Sequence, residues 1–423
     1  MLFKKIRSVV LYSLLFIMST HSIRADFSLE ALIKDHPILS ALTGIVALNF
    51  AWNAVSGIIE WSQQVKPRED LKNKKLPIVY SSGYNMYFLG IEKILHSFDA
   101  QKYRRVHDHL IAKLGIPHSS FYEPKEISID DLKIVHDADY IEALENTDSA
   151  RLTASIAEVP IGFLPNFVIR NRILKPMKLA TGGTVLGAQL AMGYGEHQWK
   201  EEDMKWAINI GGGYHHAKGK GHFFDYGKYK YDQDEGHGFC IYGDIQLAIE
   251  KLWKKNPNLK VMIVDLDAHQ GNGHEAYFAT ETAKLNGQHR VVIFDMYNEQ
   301  NWYPPEKLRT DAHIQYKFGL AWGTKDAQYL KILTDNLPRA IEEFNPDFIL
   351  YNAGTDIFEH DPLGKLKISH KGIIQRDQFV FEQAQKYKKP ILMVTSGGYT
   401  QQSAVIIGES IENLLKKVIK VIN

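Results

Sequence analysis

From about Leu76 the chain alternates between short, almost continuously apolar runs and longer stretches where apolar residues recur every three or four positions. The short runs fall at 206–210, 261–265, 291–295, 348–352 and 391–395. They lack the in/out alternation of a half-wet strand, so they fit strands buried on both faces of a parallel sheet. Helical spacing lies between them. It is marked by Ile245, Leu247, Ala248, Leu252 and Trp253, by Tyr329, Leu330, Leu333 and Leu337, by Phe379, Phe381, Ala384 and Tyr387, and by Ile406, Ile407, Ile411 and Leu415. Strand–helix alternation predicts an α/β fold, with a central, mostly parallel β-sheet flanked by helices on both faces. No internal repeat or low-complexity linker follows Lys75, so 76–423 reads as one domain.

Polar residues gather directly after the apolar runs. Gly211-Gly212-Gly213-Tyr214-His215-His216 follows one, Asp265-Leu266-Asp267-Ala268-His269 closes another, and Gly354-Thr355-Asp356 and Ser396-Gly397-Gly398-Tyr399 follow two more. In open parallel sheets, ligand sites lie beyond the carboxyl ends of the strands. Four strand ends therefore point to one polar edge.

The N-terminal quarter has a different texture. Lys4, Lys5 and Arg7 precede an apolar run over 9–18, and Ala25 follows, so 1–25 resembles a secretory signal peptide or signal anchor. Residues 38–59 carry no charge and are long enough to cross a bilayer, although Asn49 and Asn53 lower their apolar character. Lys66, Arg68, Lys72, Lys74 and Lys75 follow; by the positive-inside rule that end would stay cytoplasmic. Two readings follow for the membrane-proximal segment 26–75. Either the protein is exported and 38–59 is an amphipathic or core helix, or the segment spans and holds the catalytic part inside. In both, residues 1–59 make the protein exported or membrane-associated.

Composition removes other classes. The 423 residues are 45% hydrophobic and 23% charged, with a net charge of +1, so no broad basic surface argues for nucleic acid. A single cysteine, Cys240, excludes an internal disulfide and a cysteine-rich zinc site. Any metal must be held by His and Asp. Asp267 and His269 leave a strand end two residues apart and project an oxygen and a nitrogen toward one point. Catalytic zinc takes three protein ligands and keeps one position open, and Asp356 is the best third. That donor set suits zinc or iron(II) rather than magnesium. His215 and His216 are read as the acid–base pair: one takes a proton from metal-activated water, the other steadies charge or protonates the leaving amine. Asp265 and Asn272 are placed to orient them, and Tyr399 can aim its hydroxyl at a substrate carbonyl.

These motifs, with Gly238-Phe239-Cys240, the run 265–273 and Asn352-Ala353-Gly354-Thr355-Asp356, resemble the histone deacetylase family over about 76–420 and stand in family order. Ala268, Gln270, Asn272 and the run 391–399 are most similar to its class IV branch. The resemblance implies a single-domain arginase/deacetylase-like fold, zinc at Asp267, His269 and Asp356, and a His215–His216 dyad backed by Asp265 and Asn272. It makes Tyr399 the residue that polarises the carbonyl and lines the substrate tunnel with Gly238 and Phe239, opposite Tyr303. It also implies structural potassium near Asp265, Asp267 and His269, with Asp244 and Asp295 as further contributors. The expected substrate is an acylated lysine peptide or a related acylated amine, with acetyl or long-chain fatty acyl as the group removed.

Two departures stand out. Most of the family carries Asp where this chain has Asn272, and an amide adds no charge, so His216 should be less basic than usual. Between His216 and Phe239 lie 22 residues, more than the family usually has. This insertion, 217–238, is either a solvated loop or an aromatic-rich flap beside the tunnel. Two other functions compete with the deacylase. A two-metal ureohydrolase on the same fold would need a carboxylate where Gly271 stands. A silent binding module would hold an acylated partner in the tunnel, but ligands, dyad and tyrosine are all retained.

Overall fold

Seven parallel strands form the centre of this computed structural model. It describes residues 65–423 apart from 87–98, 100, 221–235, 280–282, 302–314 and 423. The strands of the sheet are β1 (Ile78–Val79), β2 (Trp206–Asn209), β3 (Val261–Asp265), β6 (Val291–Asn298), β7 (Tyr316–Leu320), β8 (Phe348–Asn352) and β9 (Ile391–Val394). A separate small hairpin pairs β4 (Lys284–Leu285) with β5 (Gln288–His289). The sheet order is β1-β2-β9-β8-β3-β6-β7.

Every residue of β2, β3, β6, β8 and β9 is buried, so both faces of these strands are covered. This is why their sequences read as unbroken apolar runs. β1 is too short to show a pattern, and β7 sits at the edge with Lys317 and Gly319 exposed; neither shows in the hydrophobic pattern.

Seven helices matter for the site: α1 (Lys102–Leu114), α2 (Lys175–Ala191), α3 (Asp244–Trp253), α4 (Asn272–Phe278), α5 (Asp326–Phe344), α6 (His370–Lys386) and α7 (Gln402–Asn413). Their boundaries have local causes. The Ser369 hydroxyl caps α6 by accepting from Gly372 N at 3.0 Å. α5 ends where Asn345 turns left-handed at φ 49°.

The packed unit begins at Val65, ahead of the Leu76 start read from texture. Leu71 is fully buried, and Val65 N and Arg68 N each donate at 2.9 Å to Ala112 O and Gly115 O at the end of α1. The expected signal segment 1–25 and the charge-free stretch 38–59 lie outside the described residues. Among the described residues no helix is long and apolar enough to cross a membrane.

Candidate active site

β2, β9, β8 and β3 are consecutive neighbours in the sheet, and these are the strands whose ends carry the four polar clusters. Their register aligns Asn209, Val394, Asn352 and Asp265 on one rung, with Asp295 of β6 next to Asp265. The loops leaving this rung converge because their strands are adjacent.

Asp267, His269 and Asp356 form one group whose ligand atoms lie within 4.8 Å of one another. His269 Nδ1 is 2.8 Å from Asp356 Oδ2 and 3.1 Å from Asp267 Oδ1. All three residues are buried. Burial alone would lower His269, but its hydrogen bonds to Asp267 and Asp356 outweigh it and hold the imidazole at about 10. Burial and the Asp267 charge lift Asp356 to about 7, while His215 and His269 overcome burial and keep Asp267 low. Two buried carboxylates and an imidazole that share one positive charge fit a dication, and the mix of oxygen and nitrogen suits zinc or iron(II). Gly397 permits this closeness, since a Cβ there would stand 2.6 Å from both Asp267 Oδ2 and Asp356 Oδ2.

The two histidines of the dyad lie side by side, ring centroids 4.0 Å apart. His215 Nδ1 pairs with Asp265 Oδ2 at 2.8 Å. Burial opposes its charge, but Asp265 and Asp267 outweigh burial and raise it to about 9. His216 Nδ1 lies 2.6 Å from Asn272 Oδ1. Burial, then the positive His215 and His269, push His216 well below its ordinary value. An amide oxygen only accepts, so Nδ1 of His216 carries the hydrogen and the lone pair sits on Nε2. The pair is thus divided into a cation and a neutral base. The turn that delivers them needs glycine: Gly213 has φ 86°, and a Cβ there would stand 2.8 Å from Ser396 Cα.

Tyr399 stands beside the Asp267–His269–Asp356 group, its ring 6.3 Å from His269 and 5.8 Å from Phe239. Burial, then Asp356 and Asp267, raise its hydroxyl well above 10, so it stays a donor. One pocket takes in His215, His216, Asp267, Tyr399, Gly238 and Phe239. It also reaches Met86, Tyr103, Met177 and Cys240.

Several residues at the site escaped the sequence reading. Asp361 Oδ2 accepts from Tyr399 N at 2.8 Å, and its Oδ1 accepts from Leu363 N and Gly364 N at 2.9 and 3.1 Å, so it fixes the tyrosine's backbone. Lys102 is fully buried and donates to Ser396 O at 2.6 Å; burial lowers it to about 8 against the pull of Asp356 and Asp267. His274 forms a second fully buried group with Asp265 and Asp295. Its Nε2 lies 3.4 Å from Asp265 Oδ2 without hydrogen-bond geometry, and Asp295 Oδ1 has no hydrogen-bond partner among the described residues.

Asp244 is a correction. Expected as a contributor to the potassium site, it instead accepts from Gly213 N and Tyr214 N, both at 2.8 Å, and from Thr184 Oγ1 at 2.6 Å. Its oxygens are committed to the glycine turn after β2. Tyr303 and residues 221–235 of the insertion lie outside the described residues.

Comparison with known proteins adds five findings. Residues 96–416 match the histone deacetylase domain model. The chain is 39% identical over 382 residues to histone deacetylase 2 of Arabidopsis thaliana, covering 87% of this chain and 89% of that protein. It is 23% identical over 338 residues to human histone deacetylase 1, covering 77% of this chain and 61% of that protein. Among solved structures, the crystal structure of the HDA15 HD domain aligns with TM-score 0.59 at 18% identity, over 81% of this chain and 91% of that one. A histone deacetylase homologue complexed with SAHA aligns with TM-score 0.58 at 20% identity, over 81% and 84%. At such identities these two establish the fold alone, the arginase/deacetylase type.

Proposed function

This chain belongs to the histone deacetylase family, and on that premise we propose that it is a zinc-dependent hydrolase that cleaves the amide of acyl-lysine or a related acylated amine. One observation carries the reading: His215, His216 and Tyr399 line one pocket together with Asp267, which belongs to the buried Asp267–His269–Asp356 group.

Bound at Asp267, His269 and Asp356, zinc would supply Lewis acidity for the acyl carbonyl and for water. The remaining work falls to side chains. His216 Nε2 takes a proton from the attacking water as its oxygen bonds to the carbonyl carbon. His215, held positive by Asp265, steadies the negative charge that develops, and Tyr399 donates to the carbonyl oxygen. The C–N bond then breaks and the proton on His216 passes to the departing amine nitrogen, leaving a carboxylic acid and an amine, which settle as carboxylate and ammonium when the acid's proton passes to the amine. Phe239 and Gly238 wall the pocket where the lysine stem would lie.

The class IV-like sequence favours a long acyl chain over acetyl, and Met86, Met177 and Cys240 supply apolar wall to the pocket it would enter. The test is turnover of acetyl- against myristoyl-lysine peptides, with chelator and with zinc restored. Higher kcat/KM for myristoyl, abolished by chelator, is expected; chelator-insensitive activity would refute the mechanism. Tyr399→Phe should lose about 100- to 1,000-fold in kcat while zinc stays bound.

We also propose a structural potassium ion beside Asp265 and Asp295, whose Oδ1 has no hydrogen-bond partner among the described residues. For residues 1–59 we propose an export or anchoring role. Membrane fractionation of the full chain, with a C-terminal reporter, tests it, and recovery in the soluble cell interior would count against it.

A further inference from the structure

Behind the ligand loops sits a cation that touches no reacting group. Arg376, on α6, has no exposed surface. A guanidinium is costly to strip of water and stays charged at any pH a protein meets, so its partners must account for its burial.

Those partners are the exits of two strands. Nη1 donates to Gly354 O at 2.6 Å and to Leu266 O at 3.1 Å, and Nη2 reaches Ala353 O at 3.4 Å. Leu266 immediately precedes Asp267, and Gly354 lies two residues before Asp356. One side chain therefore ties β3 to β8 where each delivers a metal ligand. The fork is itself anchored: Nε donates to Asp377 Oδ1 at 2.8 Å, and Asp377 accepts from Ser410 Oγ of α7 at 2.5 Å and from the Tyr351 hydroxyl of β8.

The same peptide groups continue toward the site. The peptide whose carbonyl is Leu266 O donates through Asp267 N to Asp265 Oδ1 at 3.2 Å. The peptide whose carbonyl is Gly354 O donates through Thr355 N to Gly397 O at 3.0 Å. Each is polarised on one side by Arg376 and bonded on the other to the partner of His215 or to the loop that carries Tyr399.

We propose that Arg376 is a positioning residue for the metal centre, its planar fork fixing the spacing of the Asp267 and Asp356 loops and so setting the affinity for the ion. The inference rests on the reading of Asp267, His269 and Asp356 as zinc ligands. Two carboxylates that must share one ion repel each other before it arrives, so the loops need a brace that does not depend on the ion. A lysine has the charge but not the fork: its single nitrogen cannot meet the two carbonyls that Nη1 meets and at the same time hold Asp377 and Ala353 O as Nε and Nη2 do.

The test uses the full chain with Arg376→Lys, Arg376→Met and Asp377→Asn. Zinc affinity is read by competition with a chromogenic chelator, folding by circular dichroism, and kcat and KM on an acyl-lysine peptide at several zinc concentrations. Zinc binding in Arg376→Met should weaken about 10- to 100-fold, with Arg376→Lys and Asp377→Asn in between. KM should hold within about twofold, and excess zinc should restore most of kcat. A folded Arg376→Lys or Asp377→Asn variant with wild-type zinc affinity overturns the proposal, even if Arg376→Met fails to fold. Wild-type protein that binds zinc but turns over no acyl-lysine refutes the substrate reading and leaves this one standing. Wild-type protein that binds no zinc refutes the ligand assignment itself.

Discussion

At the scale of single residues, the dyad is set apart by what stands behind each ring. Asp265 gives His215 a full negative charge at 2.8 Å, and Asn272 gives His216 only a dipole at 2.6 Å. His216 is therefore kept from protonating by burial and by the positive His215 beside it. The sign for catalysis follows: a base whose value is lowered stays unprotonated further into acid, so the acid limb of kcat/KM should lie below pH about 6.5. Asn272→Asp adds the missing charge, raises His216, and should move that limb to higher pH. A pH–rate profile of the two proteins checks this, and superimposable acid limbs would contradict the assignment of His216 as base. Asp265, Asn272 and the two histidines were all legible in the sequence, because Asp265 closes an apolar run and the others stand in the polar stretches that follow one. Asp361, Lys102, His274 and Arg376 were not, because nothing in a linear pattern tells a buried charge from a solvated one.

At the scale of elements, the site depends on turns that allow backbone to approach side chain. Gly213 joins β2 to His215 in a left-handed conformation, with Ser396 of the β9 loop against it. Gly213→Ala should cost about 2 kcal/mol or more, from the left-handed penalty and the displacement of Ser396 together. A thermal melt should register the loss, and an unchanged Tm would mean the turn can relax. Strands that ran unbroken in apolar residues appear close to where the sequence placed them: 261–265 and 348–352 coincide with β3 and β8, while β6 runs on to Asn298. The long helix α2 was missed for a physical reason. Its Gly182, Gly183 and Gly187 speak against a helix by propensity, but packing against the sheet outweighs them.

At the scale of the whole molecule, the unit that carries the site is larger than the texture of the chain suggests. The stretch before Leu76 buries Leu71, bonds its backbone to the end of α1, and sends Lys75 Nζ to Phe121 O at 2.5 Å. A protein shortened to begin at Leu76 should lose about 1.5–3 kcal/mol from Leu71 alone and melt earlier than one beginning at Val65. Equal melting temperatures would show the stretch to be dispensable. The proposed zinc would act at this scale too. At 100 times its dissociation constant it should add about 2.7 kcal/mol to stability, seen as a fall in Tm when a chelator removes it.

The sequence by itself determined the class of fold, five of the seven strands of the central sheet and the residues offered for chemistry. Burial on both faces leaves a continuous apolar imprint, and ligand-bearing loops leave short polar clusters after it. Only the tertiary structure decided that β2, β9, β8 and β3 stand side by side, which turns four separate clusters into one site. It alone placed Asp244 under the glycine turn rather than beside a cation. It alone brought Arg376, far from the ligands along the chain, to the carbonyls behind Asp267 and Asp356. Sheet order and the pairing of buried charges are long-range choices, set by which surfaces meet, and local periodicity carries no record of them.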